Sequence, residues 1–200
     1  MAHHRADAHA DIHDIIARRW SPRSFDASQP LEHQKLLSCL EAARWAPSCY
    51  GDEPWRFVVC DRFADEAGWQ KLFSCLTPKN QRWAAKAPVL LLACAGATFR
   101  ASGNPNRWAE YDTGAAVMSL SLQATVEGLA SRQIGGFDAD KARAAFAIPD
   151  DFTPMVAIAL GYRAGIDTLD EDFHAPELDE RTRRPLGDHC FAGAWNRPLA

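Results

Sequence analysis

Two hundred residues, 47% of them hydrophobic and including seven Trp and ten Phe, supply enough apolar surface for one domain with a sizeable core. A formal net charge of -4 argues against general nucleic-acid binding, and no apolar run reaches the length of a membrane span. The six cysteines are scattered without a C-x-x-C pair, which fits a reducing cytoplasm better than a disulfide framework.

Residues 1–10 are polar and His-rich and lack an apolar h-region, so they read as a flexible tail and not as a secretory signal. His3, His4, His9 and His13 have no Cys or carboxylate cluster to complete a metal site, and no metal is expected. Residues 8–19 place Ile12, Ile15 and Ile16 at helical spacing. This helix delivers the chain to Arg19-Trp20-Ser21-Pro22-Arg23. Pro22 biases Ser21 toward extended geometry, where successive side chains alternate faces. Arg19, Ser21 and Arg23 then share one face, with Trp20 and Pro22 on the other. Two guanidinium forks flanking a hydroxyl form a receptor for a phosphate; a loop of solvated arginines is the alternative.

A helix is expected over 31–45, its buried stripe formed by Leu36, Leu37, Leu40, Ala42 and Ala43, and Pro47 ends it. Residues 46–55 form an irregular loop. A strand over 56–60 and a helix over 65–76, with Trp69, Leu72 and Phe73 inward, follow. The unbroken apolar run 89–94 is a strand covered on both faces. After a loop at 97–107, residues 108–128 form the longest helix, apolar nearly all round and suited to a core or a subunit interface. Gly135-Gly136 is a turn, 138–146 a short helix and 155–160 another strand. Beyond Gly165 the chain is charged and wraps the surface. There Arg181-Thr182-Arg183-Arg184-Pro185 repeats the alternation of the first segment. If the two segments meet, arginines from both converge on one anion, more positive charge than a protein gathers without a ligand. A salt-bridge network with Asp179, Glu180 or Asp188 is the competing account.

The chain resembles the nitroreductase family of flavin mononucleotide (FMN) enzymes, in matches that run in order over nearly its whole length. They are Arg18-Arg19-Trp20-Ser21-Pro22-Arg23-Ser24-Phe25; Ala42-Ala43-Arg44-Trp45-Ala46-Pro47-Ser48 with Pro54-Trp55-Arg56-Phe57; Asn80-Gln81-Arg82-Trp83 before Ala87-Pro88-Val89; Asp112-Thr113-Gly114-Ala115-Ala116; Ile134-Gly135-Gly136-Phe137; and the Arg181 segment. The resemblance implies a single α+β domain over 1–200, with a central mixed sheet flanked by helices, in an intertwined homodimer carrying FMN at the subunit interface. By the same resemblance Arg19, Ser21, Arg23, Arg181 and Arg183 hold the ribityl phosphate beside Trp20. Asn80 bonds the isoalloxazine ring, and Pro47, Ser48 and Cys49 pack on the flavin from the partner. Ile134, Gly135 and Gly136 bring backbone to the redox-active edge, where the absence of a Cβ permits close approach.

The implied activity is ping-pong transfer of electrons from NADH or NADPH to nitroaromatic, quinone or related conjugated small-molecule acceptors. The chemistry is then the cofactor's, in keeping with a sequence that shows no triad, no metal spacing and no G-x-G-x-x-G. An FMN reservoir or redox-sensing protein without such turnover is the alternative, and a different flavin reaction, such as dehalogenation or desaturation, a third. Gly51 stands where an asparagine is often found, Glu53 where a glutamine is, and Trp83 where some members have lysine. These departures leave the acceptor and the choice of nicotinamide donor open. Cys49 has no histidine near it in sequence and is assigned to packing, not nucleophilic attack. Trp45 and Trp55 are assigned to the core. Asn80 could merely cap a helix, and residues 99–107 with Trp108 form either a lid or an ordinary surface loop.

Overall fold

The computed structural model describes residues 4–199. It has four strands and seven α-helices: α1 (Asp14–Arg18), α2 (His33–Arg44), β1 (Trp55–Asp61), α3 (Glu66–Cys75), α4 (Pro78–Ala84), β2 (Val89–Gly96), α5 (Ala109–Val126), β3 (Ala130–Ile134), α6 (Ala139–Phe146), β4 (Phe152–Gly161) and α7 (His174–Leu178). The strands form one sheet in the order β1-β2-β4-β3.

Every pairing in this sheet is antiparallel, which corrects the expected mixed sheet to an antiparallel one within an α+β fold. Strands that run parallel do exist here, β2 with β3 and β1 with β4, but a third strand separates each such pair, so they share no ladder. The register slips between Ala93 and Cys94, where Pro154 stands opposite Cys94; a proline has no N–H to donate to the ladder.

β2 is buried along its whole length, as its apolar run requires, because helices cover both faces. Leu90, Leu92, Cys94, Ala157 and Ala159 point to a core completed by Trp69 and Leu72 of α3, Trp83 of α4 and Ala142 of α6. The alternate residues Val89, Leu91, Ala93, Ile158 and Leu160 point to a second core, under Leu36, Cys39 and Ala43 of α2 and Ala116, Val117 and Leu120 of α5. The sheet therefore separates two helical layers.

α2 buries Leu36, Cys39 and Ala43 but leaves Leu37 42% exposed. Trp55 is in the core as expected, whereas Trp45 is 74% exposed. Trp45 lies two residues past buried Ala43, about 200° around the helix, and so falls on the outer face. There its Nε1 donates to Glu41 Oε1 at 2.8 Å.

α1 is shorter than expected, and its isoleucines are not its buried residues: Ile12 and Ile16 stay 42% and 45% exposed while Ala17 is covered. Of the expected N-terminal tail, residues 1–3, with His3, lie outside the described residues. His4 is docked, not loose: its ring stacks on Trp20 at 3.6 Å, and Ala6 N donates to Ala17 O at 2.9 Å.

Candidate functional site

The two arginine segments meet. Arg19, Trp20, Ser21, Arg23, Arg181 and Arg183 line one open cleft of about 340 Å³, together with Arg132 of β3 and Asp179 and Glu180 at its rim. Arg19 is extended (φ -61°, ψ 122°) where α1 ends, and Pro22 is buried. Trp20 does not turn wholly away, as strict alternation required; it forms part of the cleft wall, between stacked His4 and the guanidinium of Arg163.

Among the described residues Arg19, Arg181 and Arg183 have no acidic partner, while Arg23 Nη1 lies 3.7 Å from Glu177 Oε2. Arg19 Nη1 donates to Ser21 Oγ at 3.1 Å, Arg181 Nη1 to the carbonyls of His4 and Ala17 at 2.7 and 2.8 Å, and Arg183 Nη1 to Thr182 O at 2.7 Å. Among the described residues, Asp179, Glu180 and Asp188 form no ion pair with any of them, so the competing salt-bridge network is absent. Burial lowers the Arg19 pKa, and repulsion from Arg181 and Arg183 lowers it further. Arg181 is lowered by burial and by Arg183. Mutually repelling, partly dehydrated cations of this kind are what an anion site requires.

Arg132 lines this cleft and buried Glu177 bonds the Arg23–Ser24 backbone behind it; neither carries a sequence signal of its own. Burial, and then repulsion from Arg23, pushes the Arg132 guanidinium down to about 10. Arg132 Nη1 donates to Ser21 O, and its guanidinium lies 5.3 Å from the ring centre of Trp83. Where some members of the resembled family place a lysine, Trp83 is 2% exposed, and the positive charge beside it comes from Arg132.

From Arg132, β3 leads to Ile134 and on to Gly135 and Gly136, a span of about 10 Å at the usual strand rise. Ile134 is 3% exposed and anchors this end in the core. Asn80 does not cap α4, whose N-cap is Thr77. Its Nδ2 donates to Gly136 O at 3.0 Å, and its Oδ1 accepts from Trp83 Nε1 at 3.2 Å. One amide hydrogen and one lone pair remain for a ligand.

The two glycines differ. A Cβ on Gly136 would lie 2.5 Å from Asn80 Nδ2 and 3.1 Å from Thr77 Oγ1, whereas one on Gly135 would meet nothing within 4 Å. Gly136→Ala must displace the Asn80 amide from its hydrogen bonds and is expected to cost about 1–2 kcal/mol in thermal unfolding. Gly135→Ala should leave the melting curve within about 0.5 kcal/mol of the parent, since its methyl enters open space.

Pro47, Ser48 and Cys49 are not brought to the cleft. They follow α2, in the layer that α2 and α5 form on the other face of the sheet from Asn80 and Trp83. Cys49 N donates to buried Asp112 Oδ2 of α5 at 2.9 Å, and Ser48 Oγ accepts from Glu53 N at 3.0 Å. Next to them Tyr50, Gly51 and Glu53 take left-handed φ values of 54°, 63° and 50°, strained for the tyrosine and the glutamate and free of strain for the glycine. Asparagine and glycine are the residues that adopt this geometry most readily, which accounts for Gly51 standing in an asparagine position. Residues 99–107 are pinned to this loop: Asp52, 6% exposed, accepts from Arg100 N at 2.8 Å and Asn106 Nδ2 at 3.2 Å.

Comparison with known proteins bears on the fold and the family. A solved structure described as an oxidoreductase containing FMN is 32% identical, with a TM-score of 0.87, over 94% of this chain and 95% of that one. A nitroreductase family protein from Clostridium difficile 630 is 26% identical, with a TM-score of 0.69, over 90% of this chain and 96% of that one. A Bacillus subtilis (strain 168) protein, provisionally named the NAD(P)H nitroreductase YfhC, is 32% identical over 73 residues, 36% of this chain and 37% of that one. The model of the nitroreductase family matches residues 16–162, from α1 to just beyond β4. With the whole sheet and the first arginine segment inside that match, the chain belongs to the nitroreductase family.

Proposed function

We propose that this protein is an FMN-dependent oxidoreductase that takes electrons from NADH or NADPH and passes them, by a ping-pong mechanism, to nitroaromatic, quinone or related conjugated acceptors. The observation that carries the proposal is the convergence of Arg19, Arg181 and Arg183, none paired with a carboxylate among the described residues, on a cleft about 10 Å along β3 from the open backbone of Gly135. A dianionic phosphate at one end and a flat ring at the other fit this arrangement.

Arg19, Ser21, Arg23, Arg181 and Arg183 would hold the phosphate, with Arg132 beside them. Asn80 would bond the ring, and the Gly135–Gly136 backbone would lie along its reactive edge. When bound, FMN supplies the two-electron chemistry. The protein's part would be to orient it, to offer the polar Asn80 amide to the ring, and to leave one face open. Donor and acceptor would use that face in turn.

Because Pro47, Ser48 and Cys49 lie in the other layer, they would complete the site from a second copy of the chain, making the working unit a homodimer. Six free cysteines, four of them buried, support a reducing cytoplasm as its compartment, and a single domain over 1–200 suits the continuous fold.

Anaerobic mixing of the yellow holoprotein with NADH or NADPH is expected to bleach the visible flavin absorbance within seconds, and a nitroaromatic or quinone should restore it. A flavin that neither donor reduces would instead support a reservoir or redox-sensing role. Gly135→Ala, with its normal stability, should slow the bleaching markedly.

A further inference from the structure

We propose that Glu177 and Arg132 act as an opposed pair of positioning residues that clamp the backbone of the Ser21–Ser24 segment, and that this clamp gives the cleft its preference for a phosphorylated flavin over the same flavin without phosphate. The proposal rests on the reading of this cleft as the phosphate end of an FMN site.

The segment from Arg19 to Ser24 lies outside the sheet, and Pro22 has no N–H, so its polar backbone groups need partners from elsewhere. Glu177, on α7 and 2% exposed, provides them on one side. Its oxygens accept from Arg23 N at 2.9 and 3.0 Å, from Ser24 N at 3.3 Å and from Ser24 Oγ at 3.1 Å. On the other side Arg132 of β3 donates to Ser21 O. A buried anion thus takes the N–H side and a half-buried cation the carbonyl side of one short stretch, which fixes where Ser21 and Arg23 aim.

Glu177 does this without capturing the arginine it sits beside. Its Oε2 is 3.7 Å from Arg23 Nη1, an electrostatic contact but too long for a hydrogen bond, so that fork keeps its donors for a ligand. Glu177 also stands a few residues before Arg181 and Arg183, and so ties the C-terminal half of the cleft to the N-terminal half.

The test is the affinity of flavin-stripped full-length protein for FMN and for riboflavin, measured side by side by fluorescence titration. Glu177→Ala is expected to weaken FMN binding about 30-fold, as loss of a buried charged hydrogen-bond partner implies, and to leave riboflavin within about twofold. Glu177→Gln, which keeps the shape and one acceptor oxygen, should fall between and serves if the alanine variant does not fold. Arg132→Met keeps an unbranched side chain and removes the donor to Ser21 O, and should show the same FMN-selective loss. Equal weakening toward both flavins would make the pair merely structural and overturn the clamp, as would an unchanged preference for FMN in all three variants. A parent protein that bound both flavins equally would overturn the reading of the cleft itself.

Discussion

Arg19→Ala combined with Arg183→Ala is expected to give a folded protein that purifies without colour. On the proposed reading each arginine lost removes a charge-assisted contact to a phosphate, worth roughly 1.5–3 kcal/mol, so the pair should lower FMN affinity by about two to four orders of magnitude. The fold should survive because neither side chain holds distant elements together: Arg19 Nη1 bonds Ser21 Oγ and Arg183 Nη1 bonds the neighbouring Thr182 O. Arg181 would be a poor choice, since it carries the carbonyls of His4 and Ala17 and its loss would loosen the docked N-terminus. Removing two of three mutually repelling cations should even steady the flavin-free protein slightly. Circular dichroism, thermal melting and the ratio of flavin to protein absorbance check all three expectations. Full FMN occupancy in this variant would show that the phosphate sits elsewhere.

The parts of this site that could be read in the sequence are those where chemistry needs a local pattern. Phosphate recognition needs guanidinium groups at alternating positions beside a proline, and both segments show it. Arg132 and Glu177 show nothing of the kind. One is a lone arginine in the short strand Ala-Ser-Arg-Gln-Ile and the other a lone glutamate in a five-residue helix, and each acquires its role only when the fold brings it to Ser21–Ser24. The same limit explains β3 itself: a short, polar edge strand has neither apolar alternation nor a continuous apolar run. α4 did carry a signal, Thr77 followed by Pro78 at the first helical position. Strand direction was not legible either. The run 89–94 correctly implied cover on both faces, but helical layers cover an antiparallel sheet as well as a mixed one, and only the pairing distinguishes them.

Met118→Asp, in the middle of the outer face of α5, is expected to yield a monomer that holds no flavin, although Met118 does not line the arginine cleft. α5 is apolar nearly all round, and its outward residues stay uncovered in one chain: Tyr111 is 75% exposed, Met118 37% and Val126 53%. Between the first two, a Cβ at Gly114 would meet nothing within 4 Å, which leaves the helix surface open to close packing. Leu37 of α2 and Trp45 just after it, in the same layer, are exposed as well, so large apolar side chains stand uncovered on this side of the sheet. An unpaired carboxylate buried in such an interface costs several kcal/mol in each copy, enough to dissociate the pair at micromolar concentration. On the proposed reading flavin should leave with the partner, because Pro47, Ser48 and Cys49 stand on the opposite face of the sheet from Asn80 and Gly136 and would reach the ring only from a second copy. Light scattering and flavin absorbance on the same eluting peak separate the possibilities. A monomer that keeps its FMN would remove the Cys49 loop from the flavin site, and an intact dimer would move the interface off α5.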